Sequence, residues 1–402
     1  MARILFTWEL GGGMGHVAPY LPLIDKLRQA GHEVAFALRN LQFAELTLGK
    51  AGIPYFQAPV MQGKAGDEIT TPHSFAQILH NVGYGDPGLL VGLARAWHKL
   101  FSLYRPDLVV FDHSPTALMA ARTYPCRKVV IGNGFFIPPV QSGIPILRKE
   151  PSPYLANVQR DEERILATIN GVIEKMGGEP LTTIPQLYEA DEQVITTFRE
   201  IDHFSDRRQR GDSPYWGPLG HTSIGVAPQW PAGEGKRIYG YLKPFAALPT
   251  LLEQLKRLGV PTLIYAPQVG DQIKRRFECD TLHFSSQPLD LNRVAAECDL
   301  AITHGTHATC CTFLLAGKPM LMLPLYLEQR LIGDNIQELG AGLSAPLLHP
   351  QGIAQKLQTL LANGEKYGRA AQAFAERYND FDAGAVEQRL LQRIETLLRD
   401  TT

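Results

Sequence analysis

Asp299-Leu300-Ala301-Ile302-Thr303-His304-Gly305-Thr306-His307-Ala308-Thr309 is the run that decides the fold of this chain. Its first five residues have the length and apolar character of a buried strand. Gly305 marks a tight turn, and a helix is predicted to start near Ala308 and to stop near Gly317. Pro319-Met320-Leu321-Met322-Leu323-Pro324 reads as the strand after it. Strand, helix, glycine and strand make a βαβ unit, which implies a parallel sheet with right-handed crossovers.

Outward from that run the same grammar repeats. Upstream, Lys236 to Tyr241 reads as a strand, Leu251 to Leu258 as a helix ending at Gly259, and Pro261 to Ala266 as a strand. At the other end of the chain, Arg3-Ile4-Leu5-Phe6-Thr7 is a strand and Gly11 to Gly15 a glycine turn. Leu21, Leu23, Ile24 and Leu27 then recur at helical spacing, Gly31 closes that helix, and His32 to Leu38 returns as a strand. The fold class is therefore α/β with two Rossmann-like halves. Gly211 to Gly235 is rich in Gly, Pro and Trp without periodicity, so the boundary falls near 218–232. That gives an N-terminal domain over 1–220 and a C-terminal domain over 221–402, the last helix being free to pack back on the first. The stretch Pro138–Tyr188 reads as an irregular helical insertion.

A chain of 402 residues suits two domains better than one core. A formal net charge of −1 gives nucleic acid or an anionic membrane nothing to attract, and Arg207-Arg208-Gln209-Arg210 reads as a solvated loop. Five irregularly spaced cysteines argue for a reducing, cytoplasmic setting. No apolar run reaches the roughly 18 residues of a membrane span.

The turn at His304 has a chemical consequence. A helix N-terminus carries about half a positive charge and unpaired N–H groups, so it can receive a diphosphate. Thr309 adds a hydroxyl and His304 an imidazole, although as isolated features both are equally turn and cap residues. Pro324-Leu325-Tyr326-Leu327-Glu328-Gln329 then places a carboxylate and an amide at the end of the neighbouring strand, suited to sugar hydroxyls. Phosphate and polyol recognition on adjacent strand ends describe a nucleotide-sugar site, at the strand carboxyl ends where open α/β sheets bind ligands.

On these motifs the C-terminal half resembles the UDP-glycosyltransferase superfamily of GT-B fold (glycosyltransferase family 1). The likeness runs from Phe284 to Gly342 through Ser286-Gln287-Pro288, Asp299 to Thr309, Ala316 to Met320, Glu328-Gln329 and Leu339 to Gly342. It implies two Rossmann-like domains facing each other across a cleft. It also implies a donor site in which His304, Gly305, Thr306 and Thr309 meet the diphosphate, Glu328 and Gln329 the sugar, and Gln287 the nucleoside. Two positions depart from the pattern. Thr306 stands where a second glycine is usual and Thr312 where a ribose-binding Glu is usual, which would suit a dTDP-sugar lacking the 2′-hydroxyl. Where many members have Gly-Ser this chain has Lys243-Pro244, and Lys243 is either a β-phosphate contact or an exposed structural lysine.

Gly13-Met14-Gly15-His16-Val17-Ala18-Pro19 resembles the N-terminal signature of the same superfamily, which makes His16 the base on an acceptor hydroxyl. The chemistry needs one, because an alcohol must lose its proton as it attacks and an imidazole titrates near neutrality. Pro106-Asp107-Leu108-Val109-Val110-Phe111-Asp112-His113 ends an apolar strand on Asp112, which the resemblance makes the carboxylate partner of His16 and which also suits a simple turn. Asp107 falls at the opposite end of that strand.

The function expected is inverting sugar transfer from a UDP- or dTDP-sugar to a hydroxyl of a small, apolar or aromatic acceptor, with no metal and no cofactor. The acceptor lean comes from aromatic and apolar residues in 61–84 and 135–154. A non-catalytic nucleotide-sugar binder and an epimerase or hydrolase on the same scaffold are the alternatives. Three other signals carry less. The glycine run has His16 where G-x-G-x-x-G needs glycine, Asp380-Phe381-Asp382 lies between helices where Asp caps, and His304, His307, Cys310 and Cys311 would spread around a helix rather than close on zinc.

Overall fold

The computed structural model describes residues 1–63, 66–140, 143–148, 155–204, 215–220 and 225–400. The basic run Arg207–Arg210 and most of the interval 205–224 lie outside the described residues. The chain divides into two compact units, Met1–His221 with Asp382–Thr402, and Thr222–Phe381.

The first unit is built on a six-stranded sheet. Its strands are β1 (Arg3–Trp8), β2 (Glu33–Leu38), β3 (Tyr55–Gln57), β4 (Leu108–Asp112), β5 (Arg127–Gly132) and β6 (Glu192–Ile195). They run in the order β3-β2-β1-β4-β5-β6, and each neighbouring pair is parallel. Every residue of β4 and all but the first of β1 are buried or nearly so, the pattern of strands covered on both faces. The helix Leu21–Gln29 ends as its composition predicts. Gly31 adopts a left-handed φ of 89°, which lets the His32 N–H reach back to the Leu27 carbonyl. The insertion contains a regular 21-residue helix, Leu155–Lys175, and a short turn of helix at Ile184–Tyr188.

The helix Ala383–Arg399 belongs to this first unit. It buries Val386, Leu390, Ile394 and Leu397, and Arg393 bonds Glu192 of β6 at 2.6 Å. Asp382 caps it through the Gly384 N–H, so the Asp-Phe-Asp run is a helix start.

The second unit repeats the plan. Its strands are β7 (Ile238–Tyr241), β8 (Thr262–Tyr265), β9 (Leu282–Ser285), β10 (Leu300–Thr303), β11 (Met320–Met322) and β12 (Gly342–Ser344). Their order is β12-β11-β10-β7-β8-β9, again parallel throughout. The helix after β7 starts three residues before its leucine periodicity suggests, at Leu248, because Pro249 suits a first turn. It buries Leu248, Leu251, Leu252 and Leu255, each contributing at most about 1.5–3 kcal/mol.

In each sheet the chain builds three strands outward in one direction, then returns to the middle and builds outward in the other. The reversal falls between β1 and β4 in the first unit and between β7 and β10 in the second. Loops at such a point diverge to opposite faces and leave a crevice at the strand carboxyl ends.

Candidate active site

In the first unit this crevice is shaped by a strongly tied loop. β1 pairs with β4 so that Trp8 lies opposite Asp112. Beyond Trp8 the chain is held by its neighbours across the reversal. The Trp8 indole donates to the Leu10 carbonyl at 2.6 Å, and the Leu10 N–H donates to the His113 carbonyl at 3.0 Å. The carboxylate of Glu9 accepts the N–H groups of Thr116 and Ala117, each at 3.1 Å, and the Thr116 hydroxyl. Burial of Glu9 outweighs these bonds and pushes its carboxyl up to about 7.

The tied loop delivers His16, at the end of the short helical turn Met14–His16, to Asp112. His16 Nδ1 lies 2.9 Å from Asp112 Oδ2, both side chains being buried. A carboxylate can only accept, so Nδ1 carries the proton and the lone pair sits on Nε2. The Tyr20 hydroxyl bonds the same carboxylate, and burial together with Asp112 raises the phenol well above its usual range. Trp8 stacks on the His16 ring with centroids 4.9 Å apart and planes at 12°, and Phe136 covers it at 5.2 Å. The imidazole is thus fixed in orientation and tautomer by partners from three segments. A group placed this way can take a proton at Nε2 and stabilise the resulting charge through Asp112. Asp107, by contrast, sits at the far edge of the sheet and accepts the Arg3 N–H at 2.7 Å.

Gly11 and His113 complete this crevice. Gly11 has φ +80°, and a side chain there would meet His16 Nε2 at 2.9 Å and His113 Nδ1 at 3.3 Å, so glycine is required on both counts. His113 has φ 46°, a strained region that histidine tolerates better than most residues, at about 1–3 kcal/mol. It stacks on Phe136 with centroids 4.1 Å apart. Burial, then the fields of His16 and Arg39, holds its imidazole well below the usual range against a hydrogen bond to the Leu10 backbone, so it is neutral. His113, Trp8, Tyr20 and Glu9 play no part in the sequence reading. Only His113 carried a signal, as the second polar residue of the Asp-His-Ser run that ends β4.

In the second unit the equivalent crevice is closed by His304, the residue after β10. Its Nε2 accepts the Lys243 N–H at 2.7 Å, and its Nδ1–H donates to the Leu323 carbonyl at 2.6 Å. Both ring edges are therefore committed to backbone from β7 and β11 flanks. Burial lowers its pKa, with Lys243 adding to the effect and the Leu323 carbonyl opposing it. Gly305 turns the chain with φ +80°, and a side chain there would lie 2.9 Å from the Gln329 carbonyl oxygen.

The helix His307–Leu315 then begins with Thr306 as its N-cap residue, and no side chain caps it. Thr309 is buried in its first turn. Glu328 and Gln329 lie in the first turn of the helix Leu327–Leu339 rather than on a strand end. The Gln329 amide oxygen accepts the Leu325 N–H at 2.8 Å. Lys243 is half-buried after β7, and Gln287 is exposed after β9, three strands from β10 on the same sheet edge. Thr312 bonds the Ala308 carbonyl of its own helix at 3.0 Å. Cys311 lies 3.5 Å from His307, while His304 faces its backbone partners, so these four residues do not converge.

No family model matches the chain. A stretch of 77 residues, 19% of this chain, is 29% identical to UDP-sugar-dependent glycosyltransferase 52 of Dictyostelium discoideum and spans 4% of that protein. Solved structures are similar over nearly the whole chain. The calicheamicin glycosyltransferase CalG4 has a TM-score of 0.70 at 18% identity, covering 100% of this chain and 99% of that one. The glycosyltransferase VinC in complex with dTDP has 0.66 at 16% identity over 99% and 100%. The spinosyn rhamnosyltransferase SpnG complexed with thymidine diphosphate has 0.65 at 18% identity over 97% and 100%. Among the described residues no helix is long and apolar enough to cross a membrane. With its two parallel six-stranded sheets, the chain has the GT-B fold of these glycosyltransferases.

Proposed function

We propose that this protein is an inverting glycosyltransferase that moves a sugar from a dTDP- or UDP-sugar to a hydroxyl of a small, apolar acceptor. The observation that carries the reading is the buried His16–Asp112 pair at the reversal point of the first sheet. His16 Nε2 takes the proton of the acceptor hydroxyl as its oxygen attacks the anomeric carbon, and the nucleoside diphosphate leaves from the opposite face. One displacement of this kind inverts the anomeric centre.

The leaving diphosphate is received by the uncapped first turn of the helix His307–Leu315, with Thr306 and Thr309 alongside. His304 acts here as a strut that sets the turn, and Glu328 with Gln329 meets the sugar. Thr312, bonded to its own helix, offers no carboxylate to a ribose 2′-hydroxyl, which favours the deoxyribose donor. The dTDP and thymidine diphosphate bound by VinC and SpnG support the same preference. This chemistry calls on no metal or cofactor, and the reading keeps the enzyme in the cytoplasm.

The test is calorimetric titration with dTDP, UDP and GDP without added metal, followed by transfer assays with dTDP- and UDP-glucose. The expected order is dTDP first, UDP second and GDP without measurable binding. Ligand at a hundred times its dissociation constant should add about 2.7 kcal/mol to stability. Binding without transfer to any acceptor would leave the non-catalytic reading, and no nucleotide binding at all would overturn both.

A further inference from the structure

Glu9 follows Trp8, on which the base is stacked, yet the reaction above gives it no task. It is only 2% exposed, and the penalty for burying its carboxyl outweighs its hydrogen bonds. A carboxyl retained against that penalty, beside the residue that supports the base, calls for a role in the site.

Its partners converge on Thr116. Glu9 accepts the Thr116 N–H at 3.1 Å and bonds the Thr116 hydroxyl, which in turn lies 3.0 Å from the hydroxyl of Tyr84. All three side chains are buried. An ionised carboxylate only accepts, so Thr116 then donates to Glu9 and Tyr84 donates to Thr116; with Glu9 protonated the chain can run the other way. In either direction the Thr116 hydroxyl both gives and takes a hydrogen bond, and a valine of the same shape could do neither.

The three residues come from three segments. Glu9 follows β1, Thr116 lies in the first turn of the helix Pro115–Ala120 after β4, and Tyr84 ends the helical turn His80–Tyr84. The base depends on the same two strand ends. Trp8, the last residue of β1, stacks on His16, and Asp112, the last residue of β4, lies 2.9 Å from its Nδ1. We propose that Thr116 and Tyr84 are positioning residues for the base: through Glu9 they clasp the ends of β1 and β4 in the placement that keeps His16 at bonding distance from Asp112. Neither residue touches the substrate, so the clasp governs rate and leaves binding alone.

The kinetic meaning of this inference rests on the transferase reading, so its first test uses no substrate. The proton on His16 Nδ1, buried and shared with a carboxylate, gives a downfield resonance, assigned by its loss in His16→Ala. Thr116→Val keeps the side-chain shape and the backbone N–H, and the resonance should shift in it. Thr116→Ser restores the hydroxyl and should bring the resonance back. With dTDP-glucose and 4-methylphenol, Thr116→Val should lower kcat about tenfold, one hydrogen bond's worth, with KM and dTDP affinity unchanged. Tyr84→Phe removes the outer link alone and should lower kcat about threefold, and it decides the matter if the valine variant does not fold. A shift reversed by serine, in a protein that transfers no sugar, would support the clasp and count against the transferase reading alone. A resonance unmoved in Thr116→Val and Tyr84→Phe, or one that serine does not restore, would overturn the inference, as would a raised KM at unchanged kcat.

Discussion

Two histidines stand where the two sheets of this molecule reverse direction, His16 beyond β1 and His304 directly after β10, and they are held in opposite ways. His16 and His304 each stand at the strand carboxyl ends where their sheet reverses direction. His16 gives one edge to a carboxylate, so a proton arriving at Nε2 creates a charge that Asp112 stabilises. His304 accepts a backbone N–H at Nε2, so the same proton would have to break the bond to Lys243. One arrangement invites protonation and the other resists it. Residue type and placement at a reversal point are shared, on different strands; the partner decides the chemistry.

Breaking the first arrangement should have the largest effect. Replacing His16 by alanine is expected to lower kcat by about 10²–10⁴-fold while leaving nucleotide affinity within twofold. Substantial turnover in that variant would remove His16 as the base. Asp112→Asn should follow at about 10²-fold, because the amide holds the ring but does not stabilise its charge. Near-wild-type turnover in Asp112→Asn would reduce the carboxylate to a structural role.

The second arrangement should fail differently. His304→Ala orphans the Lys243 N–H and the Leu323 carbonyl, each costing about 1–3 kcal/mol. The melting temperature and the dTDP affinity should drop together, read by calorimetry. A variant of unchanged stability and weaker nucleotide binding would instead make His304 a direct phosphate contact.

The smallest effect concerns Glu9, which ties the His16 loop to the helix Pro115–Ala120. Its folded pKa, about 7, lies above the ordinary 4.5. The stability it contributes is therefore complete below about 4.5 and is lost as pH rises through about 7. Glu9→Gln should flatten that part of the pH dependence of melting. Glu162, also pushed up to about 7 by burial, remains in the variant, so the slope shrinks without vanishing. An identical slope in the variant would mean that Glu9 is ionised on both sides of the transition.

These contrasts also mark what could be read from the sequence. Continuous apolar runs marked β1, β2, β4, β7, β8, β10 and β11, because buried parallel strands tolerate little else, whereas β3, β5, β6, β9 and β12 were not recognised as strands. His16 was singled out by the resemblance of its glycine turn and Asp112 by its place at the end of an apolar strand, and the structure sets the two side chains 2.9 Å apart. The partnership of His304 with Lys243 and Leu323 was not legible, since it depends on two backbone groups whose positions no side chain records. Tyr20, Trp8 and Glu9 were invisible for a related reason: an aromatic or acidic residue beside a glycine loop has no characteristic spacing. The register that sets Trp8 opposite Asp112 supplies that information only once the sheet has formed.

The helix Ala383–Arg399 has a consequence for biosynthesis. It closes the first unit, where Arg393 meets Glu192 and the Arg389 guanidinium lies 3.7 Å over the Trp216 ring. Residues 222–381 are contiguous and can fold as they leave the ribosome. The half carrying His16 begins synthesis first and yet cannot finish packing until the whole of the other half has been made. Nascent chains halted before residue 383 should therefore expose apolar surface from the unit synthesised first, and a chaperone would meet that half for the longer time.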